Sequence, residues 1–246
     1  MADLRARQRL EQRRHALDTA LGIIAADGVD ALTMQRLADE LACGIGSIYR
    51  QFTSKSALLA ELQRGALEVL HRSLAGSQTS LDSVCNERGV SDPAELALSR
   101  VLGAACFWVD AELTFPLEVE LCRRMFTYPS VVMSDSDVAQ VLPAALAVLE
   151  TARQLLAAAV ELEALAPGAD LQRALTIIAA TNGVRMTSGL HRFSATLFDG
   201  SELANNLVRD LLVAWGAQPA RLTTAAGVVA ELAARGELVP AVEPSH

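Results

Sequence analysis

LTMQRLADELACGIGSIYRQFTSK, residues 32–55, holds two short helical patterns separated by a few residues that include Gly44, the sequence form of a helix-turn-helix. Thr33 can cap the first pattern, its hydroxyl accepting a hydrogen bond from a first-turn backbone N–H. Leu37, Ala38 and Leu41 then recur at helical spacing, so a helix is predicted from about Met34 to about Leu41. Ala42-Cys43-Gly44 supplies the turn, and Gly44 is expected to take the backbone angle that a side chain resists. The second pattern starts at about Ile45 and ends near Phe52. Ile48 and Phe52, four apart, share an inner face, which leaves Ile45, Gly46, Ser47, Tyr49 and Arg50 on the others.

Working outward, Ala16, Leu17, Ala20, Leu21, Ile24 and Ala25 describe an amphipathic helix that ends at Asp27-Gly28. Before it, Arg5, Arg7, Arg9, Arg13 and Arg14 against Asp3 and Glu11 leave the first fourteen residues at +3, either an arm that reaches phosphates or a solvated tail. Beyond Phe52, Thr53-Ser54 offers a cap, and a long helix is predicted through Leu62, Ala66, Leu67 and Leu70. Residues 76–92, polar with two glycines and several serines, read as a loop.

Further helices are predicted from Pro93 to about Asp110, from Pro116 to Phe126, and from Ser134-Asp135-Ser136-Asp137 onward. The last pattern runs to about Leu165, with Pro143 either kinking it or marking its first turn. Leu171 to about Leu190 and Ser201 to Trp215 each present a broad apolar face with small residues for close approach. Pro219–Arg235 is the last helical stretch, and the tail carrying Pro240 and Pro244 is expected to be poorly ordered.

Hydrophobic residues make up 51% of the 246 and aromatics 4%, with abundant Ala and Leu and few β-branched runs, a composition that favours an all-α fold. The net charge of −8 is unevenly divided. Residues 1–72 hold ten Lys and Arg against nine Asp and Glu, so the acidic excess lies entirely C-terminal to them. No uninterrupted apolar run of bilayer length and no apolar leader stand out, and a cytoplasmic protein is expected. Cys43, Cys85, Cys106 and Cys122 form no C-x-x-C, and the histidines are scattered, so neither a metal site nor a cofactor is expected. The cysteines read as small apolar residues, with a Cys106–Cys122 redox pair as the other possibility. With no glycine-rich phosphate loop, H-E-x-x-H or G-x-S-x-G, no catalytic residue is assigned and an enzyme is not expected.

The segment from about Arg14 to Leu70 resembles the DNA-binding domain of the TetR (tetracycline-repressor-like) family of bacterial transcription regulators. The resemblance is carried by Leu32-Thr33, Leu37-Ala38, Leu41, Gly46-Ser47-Ile48-Tyr49-Arg50-Gln51-Phe52, Lys55 and Leu58-Leu59, and it covers roughly the first quarter of the chain. It implies an N-terminal three-helix DNA-binding domain in residues 1–56, and a linking helix with a larger ligand-binding and dimerisation domain in residues 57–246. Matched to the family's phosphate-holding positions are Thr33, Tyr49 and Lys55. Base edges fall to Gln35, whose amide suits adenine, and to Ile45, Gly46, Ser47 and Arg50. Two departures are notable. Ile45 stands at a place that is often polar, and Gly44 where a capping Ser is common.

The resemblance further implies a homodimer through the helices of about 171–190 and 201–215, double-stranded operator DNA as partner, and a small-molecule inducer. Candidate lining residues are Phe107, Trp108, Phe115, Met125, Phe126 and Met186, because large soft side chains line apolar pockets, although the same spacing also describes core packing. Glu118, Glu120, Arg123 and Arg124 could add polar recognition at its mouth. The expected function is therefore a ligand-responsive regulator, a repressor of a palindromic operator released by a small apolar or amphipathic molecule. The alternative is a helical small-molecule carrier or interaction protein without specific DNA binding.

Overall fold

The computed structural model describes residues 2–127, 134–186 and 200–242, and among them every regular element is helical. The chain divides into two compact units. The first comprises Met1–Leu67 and Leu117–Ala144, the second Glu68–Pro116 and Ala145–His246.

In the first unit, α1 (Ala2–Asp27), a 3-10 turn (Val29–Ala31), α2 (Met34–Glu40) and α3 (Ile45–Gln51) lead into α4 (Lys55–Glu87). Ala16, Ala20, Ile23 and Ile24 of α1, Leu37 and Ala38 of α2, Ile48 and Phe52 from α3 and its cap, and Leu58 and Leu59 of α4 are all buried. These positions follow the three- and four-residue spacing of the sequence, which gives each short helix an apolar stripe to bury. The basic stretch before Ala16 is neither arm nor tail but the opening turns of α1. The same unit contains nearly all of α6 (Pro116–Thr127) and the start of α7 (Asp135–Glu161).

The second unit is built on α5 (Pro93–Thr114), in which every residue from Val101 to Phe107 is buried. α8 (Asp170–Met186), α9 (Gly200–Ala214) and α10 (Pro219–Ala234) complete it. Asp92 caps α5 by accepting from the Ala94 N–H at 2.9 Å, with Pro93 in the first turn where a missing N–H costs nothing.

Two expectations are corrected here, and one pair of alternatives is decided. Residues 76–87 are not a loop, since α4 runs on through them to Glu87. Leu81, Val84 and Cys85 continue its buried stripe, and Ser73 and Ser77 are fully buried small residues. The fit is close: a Cβ built on Gly103 of α5 would lie 2.5 Å from Leu81 Cδ1. Pro143 does not open a helix either. It lies inside α7, whose start is set by Ser134, whose hydroxyl accepts from the Asp137 N–H at 3.3 Å. The tail is held as far as Pro240. Leu238 is buried, and the Ser73 hydroxyl donates to the Pro240 carbonyl at 2.6 Å. Pro244 lies outside the described residues.

By length and composition alone α7 is apolar enough to cross a bilayer, which inspection of uninterrupted runs did not anticipate. Val138, Leu142 and Leu146, at four-residue spacing along it, are exposed.

Because Leu81 is fully buried in the stretch that sequence composition assigns to a loop, Leu81→Ala is expected to lower unfolding stability by about 2–5 kcal/mol. Chemical denaturation checks this, and a loss within ~0.5 kcal/mol, typical of a surface position, contradicts the packing described.

Candidate nucleic-acid interface

The head's two short helices are set by their ends. Thr33 caps α2, its Oγ1 accepting from the Arg36 N–H at 3.0 Å. At the other end the Cys43 N–H donates to Ala38 O at 3.0 Å and the Ala42 N–H to Asp39 O at 3.0 Å. That pair of bonds is a Schellman motif, which needs a left-handed residue at its penultimate place. Ala42 takes it, with φ 49°, whereas Gly44 has φ −70° and simply caps α3. The sequence reading assigned the left-handed angle to Gly44. Glycine's permissiveness is real but unused there, and the strain rests on an alanine.

α3 then runs for seven residues with Ile48 at 0% and Phe52 at 1% exposure on its inner side. Its other faces are open. Ile45 is 38% and Tyr49 49% exposed, Gly46 and Arg50 are exposed, and Ser47 is half-buried. A Cβ on Gly44 or Gly46 would meet nothing within 4 Å, so the first turn of α3 presents bare backbone to its surroundings.

The polar groups around this face differ in how free they are. Gln35 Nε2 donates to Asp39 Oδ1 at 2.8 Å, and Arg36 pairs with Asp27. Lys55, the chain's single lysine, is half-buried and donates to the Val29 carbonyl at 3.4 Å. Arg50 enters no ion pair among the described residues and keeps its donors available. At the edge of the head Asp30 is paired with Arg124 of α6 at 3.1 Å. The Arg124 guanidinium, with a smaller contribution from Lys55, holds the Asp30 carboxyl below the usual carboxylate range.

Residues 16–62 match the family model of bacterial regulatory proteins of the tetR family. The head therefore carries a tetR-family domain. Solved structures similar to it reach beyond the head. RolR in complex with resorcinol is 19% identical with a TM-score of 0.57, the match covering 98% of this chain and 100% of RolR. A protein of unknown function from Rhodococcus sp. RHA1 is 22% identical at TM-score 0.55, over 84% of this chain and 95% of its own. A TetR-family transcriptional regulator from Agrobacterium tumefaciens is 15% identical at TM-score 0.54, over 84% and 98%. At these identities the likeness beyond the head is one of fold. No curated protein matches the chain.

Beyond that head the candidate ligand residues are only partly described. Phe107 and Phe115 are buried and Trp108 half-buried, all on α5 or at its C-cap, and the Phe107 and Trp108 rings meet edge to face with centroids 5.5 Å apart. Met125 and Phe126 belong to α6 and Met186 to α8, with side chains that lie outside the described residues. All four cysteines are free thiols. Burial pushes Cys106 and Cys122 up to about 12, so both stay protonated at neutral pH, which argues against ready thiolate chemistry. Among the described residues no group of three or more His, Cys, Asp or Glu could hold a metal ion.

Sequence reasoning missed three polar contacts that tie α6 and α7 to the head's own unit. Arg124 reaches Asp30, Ser56 donates to Asp137 Oδ2 at 2.5 Å, and Gln63 Nε2 donates to the Leu121 carbonyl at 3.2 Å. Asp137 is 5% exposed, and hydrogen bonds from Ser56 first and then Ser134 hold its carboxyl below the ordinary value. The Ser-Asp-Ser-Asp run announced a cap, but the partner on α4 is 81 residues away and no local pattern points to it.

Relief of the left-handed strain makes Ala42→Gly stabilising, by about 0.5–1 kcal/mol in thermal or chemical unfolding, and Ala42→Val destabilising by at least as much. A destabilised Ala42→Gly protein would contradict the Schellman geometry at the end of α2.

Proposed function

We propose that the chain is a ligand-responsive transcriptional regulator that binds a palindromic operator as a homodimer and, as a repressor, is released from it by a small apolar or amphipathic inducer. The observation that carries this reading is the division of α3, with Ile48 and Phe52 locked into the head's core while Ile45, Gly46, Tyr49 and Arg50 stand in solvent. A helix anchored on one side and bare on the other can enter a major groove without unfolding anything.

In this proposal Thr33, Tyr49 and Lys55 hold phosphates, and Gln35, Ile45, Gly46, Ser47 and Arg50 face base edges. The outer turn of α3 is apolar and nearly side-chain-free, so thymine methyls and close backbone approach are its natural readout, with Arg50 supplying hydrogen bonds. Gln35 must release Asp39 before its amide can pair with a base.

Functionally we place the DNA-reading part in residues 1–56 and the sensing and pairing part in residues 57–246. Leu171 and Leu175 on α8 and Leu203 and Val213 on α9 are 40–49% exposed, an apolar surface that supports pairing with a second copy. Phe107, Trp108 and Phe115 remain the ligand-facing proposal on α5, with Met125, Phe126 and Met186 as further candidates. RolR's resorcinol, a small amphipathic ring, sets the first chemical class to test. Ligand binding shifts operator affinity only by its differential affinity for the DNA-competent and released states. The contacts Arg124–Asp30 and Asp137–Ser56 support a route by which a movement of α6 or α7 is felt beside Lys55. Such a protein acts in the cytoplasm.

Tyr49→Phe and Lys55→Ala are expected to weaken binding to all duplexes by about 3- to 30-fold, with Lys55→Ala reducing the salt slope by about one. Gln35→Ala and Arg50→Ala should instead change sequence preference, at roughly 1–3 kcal/mol per altered position. Binding to selected duplexes across a salt series checks both, and unaltered affinity and slope for Tyr49→Phe and Lys55→Ala contradict the phosphate roles. Leu175→Arg combined with Leu203→Arg is expected to convert a dimer to a monomer in sedimentation, and a dimer that survives both changes places the interface elsewhere.

A further inference from the structure

Arg13 is one of the arginines whose count makes the N-terminus basic, yet it is half-buried where Arg7, Arg9 and Arg14 are exposed. Its Nε donates to Glu61 Oε1 at 3.0 Å and its Nη2 to Glu61 Oε2, a two-point pairing of guanidinium and carboxylate. Its Nη1 donates to the backbone carbonyl of Gln51, the last residue of α3. Its Cζ lies 4.5 Å from the centroid of the Phe52 ring. Three elements therefore meet on one planar group. α1 supplies it, α4 holds it through a carboxylate only 14% exposed, and the C-terminus of α3 is hooked and stacked by it.

We infer that Arg13 is a positioning residue for DNA reading, one that fixes the tilt of α3 from behind and makes no contact with phosphate. This rests on the proposal that α3 is the DNA-reading helix. The physical need is clear, because the carbonyls of a helix's last turn lack intrahelical partners and a cation there also complements the helix dipole. A seven-residue helix has no stiffness of its own, so its direction is set by what grips it. Ile48 and Phe52 grip the inner face, and apolar contacts of that kind resist pulling out better than they resist tilting. The fork adds direction, since guanidinium geometry is planar and fixed. Lysine keeps the charge and loses the fork, which separates positioning from simple attraction.

The test uses the full-length chain and a duplex that the wild-type protein selects from a randomised pool, with an unselected duplex of equal length as reference. Arg13→Lys and Glu61→Gln are each expected to lower the ratio of selected to unselected binding about tenfold. Binding to the unselected duplex and the salt slope should stay unchanged, and the double variant should be no worse than either single one. Amide exchange should quicken at residues 45–52 in both variants and stay native in the rest of α1 and α4. Full selectivity in Arg13→Lys, or a salt slope reduced by about one in Arg13→Ala with Glu61→Gln normal, overturns the inference and makes Arg13 a phosphate contact. A wild-type chain that selects no duplex defeats the DNA-reading proposal instead, and exchange at residues 45–52 still decides whether Arg13 holds α3.

Discussion

A helix of seven residues cannot stand by itself in water, where even alanine-rich peptides need roughly twice that length to be marginally stable. α3 exists because Ile48 and Phe52 are withdrawn from water, at roughly 1.5–3 kcal/mol for each such side chain fully buried. The consequence reaches beyond stability. With the helix held wholly from one side, the outer residues carry no folding duty and are free to be Ile, Gly, Ser, Tyr and Arg. Gly46 would be a poor choice in a helix that had to form on propensity, and is tolerable in one pinned by its neighbours. Folding is thus assigned to one side of two turns of chain, and the other side is left free.

What the sequence made legible follows the same line. Thr33, Leu37 and Ala38, and the pair Ile48 and Phe52, are local signals at short spacing, and helices α2 and α3 fall within a residue of their expected bounds. The errors come from residues whose meaning is set by a distant partner. Gly76 and Ser77 look like loop punctuation, yet Ser77 is fully buried and a Cβ on Gly76 would meet Pro240 Cγ at 3.4 Å, so both are small because α4 is packed against there. Composition points to Gly44 as the left-handed residue of the turn, yet the Schellman bonds place it two residues earlier, at Ala42. Arg13 was counted as one of five basic side chains, and nothing within ten residues of it hints at Glu61. For the ligand, large apolar side chains on α5 are equally what a core and a pocket wall require, so the spacing could not separate the two.

Charge shows the same economy of placement. In the second unit the arginines are largely occupied by near neighbours. Arg100 pairs twice with Asp82, Arg221 meets Asp92, and Arg88 and Arg235 share Glu231 while Arg235 also takes Glu87. Such exposed pairs add little stability each, at about 0–1 kcal/mol, but they neutralise cations that would otherwise offer a second basic surface. On the head, Arg36 is similarly held by Asp27, while Arg50 is left unpaired among the described residues. The overall acidity of the chain is therefore no obstacle to binding a polyanion, because attraction at contact depends on the few unneutralised donors on one face within a Debye length of about 8–10 Å.

The packing boundary between the two units falls within helices. It passes between Leu67 and Glu68 inside α4, at the first residues of α6, and between Ala144 and Ala145 inside α7, one residue after Pro143. Residues 117–144 are thereby members of the head's own compact unit, joined to it by Arg124–Asp30, Asp137–Ser56 and Gln63–Leu121. A displacement of α6 or of the start of α7 is therefore met directly by the 3-10 turn and the first turn of α4. Close packing makes such contacts two-valued, either kept or replaced as sets, because an interior without voids does not deform gradually. Gln63 shows what such a set costs to break. Its Nε2 donates to the Leu121 carbonyl from a side chain that is almost wholly buried, so parting α4 from α6 without a replacement partner would leave a buried donor unmet, at about 1–3 kcal/mol.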